Sequence, residues 1–284
     1  MTQSSHDLEA LHLSDANRHP PLKGGINFRD FGGYQTADGR RVKWKHLFRS
    51  GHLANLTADD HSHIDAYGIG AICDFRTDWE NDHETTALPD HIQAKLQRFN
   101  IWPKSARTAN EMIKLLSEGA TTDDEIYESQ NIVYREFIRD FSDRYAAMFR
   151  HILAADGKAV LIHCAGGKDR TGLGAAFLHL TLGVPEETVH ADYILTNQHP
   201  RTQKFIRIMA ERACGYLGKT GPEAVEELFP HYMKLFGARA DSLQAAFDTI
   251  KGMAGSFDVY RREHLKVTDA EAEKLRKWYL EEGP

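Results

Sequence analysis

One stretch of the chain concentrates residues that can do chemistry: Val160–Gly174, VLIHCAGGKDRTGLG. An apolar run ends at His163, Cys164 follows at once, and Gly166–Gly167 permit a sharp turn. Lys168, Asp169 and Arg170 come next, and an apolar helical pattern begins near Thr171. A glycine-containing turn leading into a helix points backbone N–H groups inward as a nest and adds the helix's partial positive charge, which suits an anion. Arg170 can grip two oxygens of a tetrahedral oxyanion with its planar fork. The same field favours a thiolate, so Cys164 is a nucleophile aimed at the anion the turn holds. Cys-x5-Arg spacing therefore joins an attacking sulfur to a clamp on the oxyanion it attacks. An inert cysteine after a strand would explain neither the double glycine nor the arginine. A nucleotide-binding G-x-x-x-x-G-K-[ST] loop is excluded, because Asp169 follows Lys168 and Ile162 stands where the first glycine belongs.

The remaining cysteines, Cys73 and Cys214, form no C-x-x-C pair, so neither a disulfide framework nor a metal or redox pair is expected. No metal ligand set and no cofactor is anticipated. With 35 Lys+Arg against 41 Asp+Glu, the net charge of −6 argues against nucleic acid or an anionic membrane as the main partner. The local positive field around 163–172 matters more than that sum. No apolar run approaches the roughly 18 residues of a membrane span, and the first residues lack a Sec-type pattern, so a cytoplasmic location is expected.

Several elements must position the loop. Lys158–His163 reads as a buried strand between Asp156–Gly157 and the glycine turn, and Gly68–Phe75 reads as a second. Residues 95–103 suggest another strand, and Asp38–Gly39 a hairpin. Thr57–Tyr67 is helix-like, and Gly172–Gly183 reads as an apolar helix stopped by glycine. A further helix over Pro185–Gln198 takes proline at its first position. Helical periodicity runs from about Ala109 to Ala155, with Ile132, Val133, Phe137, Ile138, Phe141, Tyr145 and Phe149 near one face. Thr122 with Glu125, and Thr268 with Glu271, have capping-box spacing, the latter opening a terminal helix EAEKLRKWYLEE. The expected organisation is a polar N-terminal arm over 1–22 and one α/β domain over 23–284, with a mostly parallel central sheet flanked by helices. Residues 105–155 form either a lid over the site or core packing, and 200–284 form C-terminal helices.

HCAGGKDRTG resembles the HCxxGKDRTG signature of the atypical bacterial protein-tyrosine phosphatases of the Cys-x5-Arg superfamily. NFRDFGGY (27–34) is similar to that family's NxRDxGG segment, and ICDFRTDWE (72–80) to its D-L-R-x-x-x-E strand end. LGVPEETVHADYILTN (182–197) and GSFDVYRREHLKVT (255–268) resemble its later helices, so the likeness spans most of residues 25–280. It implies a tyrosine-phosphatase-like sheet and a metal-independent, two-step hydrolysis of phosphomonoesters through a cysteinyl-phosphate on Cys164. Arg170 and the amides from Ala165 through Gly166, Gly167 and Lys168 hold the phosphate in that scheme, and Thr171 bonds the thiolate. His163 orients the loop and favours the thiolate, or is a core histidine bonded to backbone.

The leaving oxygen needs a proton. Trp102–Pro103 precedes Lys104, so a Trp-Pro-Asp acid is absent and Trp102 reads as a packing residue. Asp169, inside the loop, is favoured over Asp74 at a strand's carboxyl end. The competing readings are salt bridges, with Asp74 pairing Arg29 or Arg76. Lys168 suits a substrate bearing more than one phosphate, or simply steers anions. The implied substrates are phosphotyrosine proteins, with phosphoserine/threonine or phosphoinositides as further classes. A non-catalytic phosphate-recognition module and a sulfurtransferase or arsenate reductase stand as alternatives.

Overall fold

The computed structural model describes residues 18–283. Its strands, in chain order, are β1 (Arg29–Asp30), β2 (Arg41–Val42), β3 (Leu47–Ser50), β4 (Ile69–Asp74), β5 (Leu96–Arg98), β6 (Ala159–His163) and β7 (Leu280–Glu281). Among the described residues the main sheet runs β1-β3-β6-β4-β5, parallel throughout except for the antiparallel edge strand β1. The apolar runs expected as strands are β4 and β6 at its centre. Both are covered on two sides, which is why they read as continuous rather than alternating hydrophobic segments. Val160, Ile162, Ala71 and Cys73 enter the larger core, whereas Leu161, Ala159, Ile69 and Ile72 enter the one opposite. Ile69 and Ile72 share a face although three apart, because the ladder slips between Ile69 and Ala71.

The helices are α1 (Ala58–Ala66), α2 (Asp78–His83), α3 (Asp90–Gln93), α4 (Ala109–Ser117), α5 (Asp123–Asp140), α6 (Ser142–Ala154), α7 (Asp169–Leu182), α8 (Glu186–Ile194), α9 (Pro200–Tyr216), α10 (Pro222–Phe236), α11 (Ala240–Ala254), α12 (Phe257–Glu263) and α13 (Asp269–Tyr279). Both expected capping boxes form, at Thr122/Glu125 and Thr268/Glu271. The larger core collects Phe137, Phe149, Phe177, Leu243, Tyr260 and Leu275 from α5, α6, α7, α11, α12 and α13. Truncating a ring as buried as Phe177 to alanine costs about 3–5 kcal/mol. The opposite core packs Phe48, Leu53, Ile64 and Ile92 beneath α1.

Several boundaries differ from those expected. The segment 105–155 is not one body: α5 and α6 belong to the larger core, whereas Ile113 of α4 joins Ile206, Met209 and Tyr232 of α9 and α10 in a separate cluster. The apolar stripe breaks at Phe141, between α5 and α6, and leaves Ile132 39% exposed. The helix after the glycine turn begins at Asp169, and Pro185 caps α8 rather than opening it. The terminal helix ends at Tyr279, because Leu280 and Glu281 pair with Val42 and Arg41 as β7, with Arg41 bonded to the Glu281 carboxylate at 2.7 Å. The Asp38–Gly39 hairpin forms, with the Thr36 amide donating to the Arg40 carbonyl. Residues 1–17 of the expected arm lie outside the described residues. Arg18 is buried, donates to the Asp30 and Gly32 carbonyls, and stacks over Tyr34 and Trp44, so that end of the arm is docked. No described helix is long and apolar enough to cross a membrane.

Candidate active site

The loop leaves β6 with Cys164 only 2% exposed and enters α7 at Asp169. Its curvature is held from outside. The Ala165 carbonyl accepts from the His52 amide at 2.8 Å, and the Gly167 carbonyl accepts from Asn27 Nδ2 at 2.8 Å and Arg49 Nη2 at 3.1 Å. Asn27 Nδ2 also lies 3.5 Å from the Gly166 carbonyl. A trans peptide directs each N–H opposite the preceding carbonyl. With these carbonyls engaged by His52, Asn27 and Arg49, the amides of Gly166, Gly167 and Lys168 point to the opposite side, the orientation an anion nest requires. Gly167 has φ +68°, and a Cβ there would lie 2.5 Å from the Gly51 nitrogen, so only glycine fits.

Arg49 is itself fixed by a buried carboxylate, and Asn27 is tied to the same group through Arg29, which donates to the Asn27 Oδ1. Asp192 accepts from Arg49 Nη1 at 2.5 Å, Arg29 Nε at 3.4 Å and the Tyr34 hydroxyl at 3.1 Å. Burial pushes its pKa up, but Arg29 and Arg49 outweigh that and hold it far below the usual carboxylate range. The two flanking motifs noted in the sequence, NFRDFGGY and the segment around HADYILTN, thus meet behind the loop to brace it.

Arg170 is clamped along one edge. Nη1 and Nη2 each lie 2.7 Å from a different oxygen of Glu80, and Nη1 also reaches the Phe75 and Ile101 carbonyls at 3.3 and 3.2 Å. A guanidinium has five N–H groups. With this edge occupied, Nε and the second Nη2 hydrogen remain as a parallel pair, the geometry that bridges two oxygens of a phosphate. Burial would lower the Arg170 pKa, but Glu80 and the Cys164 sulfur outweigh it, so the guanidinium stays charged. Trp102 is 39% exposed, with its ring centroid 5.7 Å from the Arg170 guanidinium carbon.

The other expected site residues separate into distinct environments. Asp74 is wholly buried and bonded to Arg76 at 2.9 and 3.0 Å and to Arg98 at 3.4 Å. Burial raises its pKa, but His163 and Arg76 prevail and bring it to about 2. Of the two ion pairs expected for it, the one with Arg76 forms. His163, 3.8 Å from Asp74, is buried with neither ring nitrogen bonded to a described residue, and burial drives its pKa down to about 4 against the pull of Asp74. Thr171 is buried with its hydroxyl likewise unpartnered. Lys168 points not to open solvent but to the end of α10, donating to the Phe236 and Gly237 carbonyls at 2.9 and 3.3 Å. Asp169 is part-exposed and accepts from the Tyr134 hydroxyl at 2.8 Å.

Sequence reasoning missed Glu80, Arg49 and Asp192, and dismissed Trp102. Glu80 and Asp192 lay within motif segments already noted; Arg49 carried no local signal.

An α/β sheet whose central strand ends in a buried cysteine, an inward nest and a clamped arginine defines a Cys-x5-Arg anion site. The tyrosine phosphatase family profile matches residues 20–281. A protein of Cupriavidus necator, provisionally named a tyrosine-protein phosphatase, is 32% identical over 257 residues, covering 89% of this chain and 85% of its own length. The triple specificity protein phosphatase PtpB of Mycobacterium tuberculosis is 28% identical over 274 residues, covering 90% of this chain and 96% of its own. A tyrosine-protein phosphatase of Nostoc commune matches at 28% over 148 residues, 52% of this chain and 47% of its own. The chain belongs to the tyrosine phosphatase family and is a hydrolase of that kind.

Proposed function

We propose that the chain hydrolyses phosphomonoesters through a cysteinyl-phosphate on Cys164, with phosphotyrosine as its principal substrate and phosphoserine, phosphothreonine or phosphoinositides within its range. The observation that carries this reading is the Arg170 fork, held by Glu80 with its other edge free beside the buried Cys164. The thiolate attacks phosphorus, the bond to the leaving oxygen breaks, and Asp169 gives that oxygen its proton. Water then attacks phosphorus, Asp169 takes the water's proton, and the S–P bond breaks with the thiolate departing. The hydroxyl of Thr171, buried in the first turn of α7 without another described partner, bonds that departing sulfur in this scheme. Inward amides and the Arg170 fork favour the equatorial oxygens most when charge spreads over them, and one such donor is worth about 10²–10³-fold in rate. The scheme uses no metal or cofactor. The broad range draws on the likeness to a relative named for triple specificity.

The test is hydrolysis of aryl phosphates in the presence of chelator. Wild type is expected to turn over and Cys164→Ser to be inactive; an active Cys164→Ser refutes the mechanism, and binding without phosphate release would mark a recognition module instead. Asp169→Asn should lose more activity as the leaving group worsens, by up to about 10²–10⁴-fold, whereas Asp74→Asn should show no such trend.

A further inference from the structure

The Asp169 carboxylate does not stand alone. Tyr134 of α5 places its hydroxyl 2.8 Å from Oδ1 and 2.5 Å from the hydroxyl of Tyr193 on α8. A phenol has one proton to donate. With the Tyr134 proton committed to the carboxylate, its oxygen must accept from Tyr193, which gives a directional chain from Tyr193 through Tyr134 to Asp169. The Lys168 ammonium approaches the same carboxylate oxygen, Oδ1, at 3.4 Å. Donors therefore converge on Oδ1, and no described residue bonds Oδ2. Both tyrosine rings are buried. Burial, and then the charge of Asp169, push both phenols up, so they remain donors throughout the range in which an enzyme of this kind would work.

We infer that Tyr134 and Tyr193 are positioning residues for the proton transfer: by occupying Oδ1 they keep the acidic proton of Asp169 on Oδ2, the oxygen free to face the leaving group. A proton on Oδ1 would set donor against donor and lose the Tyr134 bond. Each hydrogen bond in such a chain polarises the next, so Tyr193 strengthens the hold that Tyr134 exerts. The same arrangement serves the second step, in which Oδ2 of the ionised carboxylate takes the proton of the attacking water while Oδ1 stays bonded. The inference rests on Asp169 being the general acid.

Phenylalanine at either position retains the ring packing and removes only the hydroxyl. Tyr134→Phe, Tyr193→Phe and Asp169→Asn are compared on a series running from phenyl phosphate to dinitrophenyl phosphate, each across pH. Tyr134→Phe is expected to lower kcat/KM for phenyl phosphate about tenfold and for the dinitrophenyl ester less than about twofold, a fraction of the full general-acid effect. The basic limb of its pH profile moves upward, because a carboxylate that has lost a donor holds its proton to higher pH. Tyr193→Phe moves both in the same direction by about threefold, and carries the test if Tyr134→Phe does not accumulate as folded protein. Losses uniform along the series with an unmoved limb, or no loss at all, overturn the inference. Asp169→Asn separates the two failures. If it shows no leaving-group trend, the general-acid reading falls and this inference with it; if it shows one while both phenylalanine variants do not, the acid stands and the tyrosines only pack.

Discussion

Glu80→Gln isolates what holds Arg170, the residue proposed to bind the phosphate. In the native site both Glu80 oxygens lie 2.7 Å from Arg170, one on each terminal nitrogen, and both side chains are about 10% exposed. Glutamine keeps the shape but leaves one acceptor, and its amide turns a donor toward a group that has only donors. The Phe75 and Ile101 carbonyls still hold Nη1, so the arginine stays nearby while its charge loses its partner. Breaking a buried pair by removing one charge costs about 3–5 kcal/mol. With two carbonyls retained, the expected loss is at the lower end, about 3 kcal/mol, or roughly 6–10 °C in melting temperature for a chain of this size. Bound phosphate supplies the missing negative charge. Saturating inorganic phosphate should therefore recover a larger share of the melting temperature in the variant than it adds to wild type, the gain following RT ln(1 + [L]/Kd). In the proposed mechanism the free edge of the fork holds the phosphate, and displacement of a clamp by about 1 Å costs about 10²-fold. The fall should appear in kcat, with KM unchanged or lowered, since the unpaired guanidinium attracts the ground-state phosphate at least as strongly. Thermal melts with and without phosphate, and steady-state kinetics on one aryl phosphate, measure all three quantities. A folded Glu80→Gln protein with kcat within twofold of wild type refutes the reasoning, because Arg170 would then be held by its carbonyls alone.

Two further outcomes follow from the same geometry. Gly167→Ala should abolish measurable turnover and destabilise by about 2 kcal/mol or more, since it combines a positive φ with a backbone collision. Gly166→Ala, where a Cβ meets nothing within 4 Å, should stay within about 1 kcal/mol of wild type by urea denaturation; equal effects at both positions would contradict the loop conformation. Asp74 titrates lower in the folded protein, at about 2, than the ordinary value of 3.8. Its contribution is therefore complete above the unfolded value and is lost as pH falls from about 4 toward 2, amounting to roughly 2 kcal/mol. Urea midpoints measured between pH 2 and 6 should fall less steeply in Asp74→Asn than in wild type over that window, and parallel curves would sink the assignment.

The loop was legible because its chemistry lies in contiguous residues: a strand end, a cysteine, two glycines and an arginine at fixed spacing. β4 and β6 were legible for a related reason, since strands buried on both faces leave compact apolar runs. Glu80 was hidden by doing two jobs at once. Its Oε2 accepts from the Thr77 amide at 2.9 Å, the pattern of an ordinary capping box, while the same oxygen receives Arg170. Asp192 looks like a surface residue of a polar helix, and only the tertiary convergence of Arg29 and Arg49 makes it the brace of the loop. Leu280–Glu281 continues a helical composition, yet pairing with β2 overrides that weak preference. The division of 105–155 between α4 and α5 likewise depends on which partners the two helices find, since both are amphipathic and carry similar caps.

The ladder between β2 and β7 joins residues 41–42 to 280–281, and α12 and α13 lay Tyr260 and Leu275 against the core that covers α7. Phe177, in the helix leaving the loop, packs on Phe257 and Tyr260. A chain emerging from the ribosome therefore carries Cys164 long before it carries the residues that pack against α7. Until residues 257–281 have been made, Phe177 faces water on one side and the loop's helix has no settled seat. Contacts so distant in sequence close slowly. Cys164 is thus made well before the segment that completes the packing of the helix behind it.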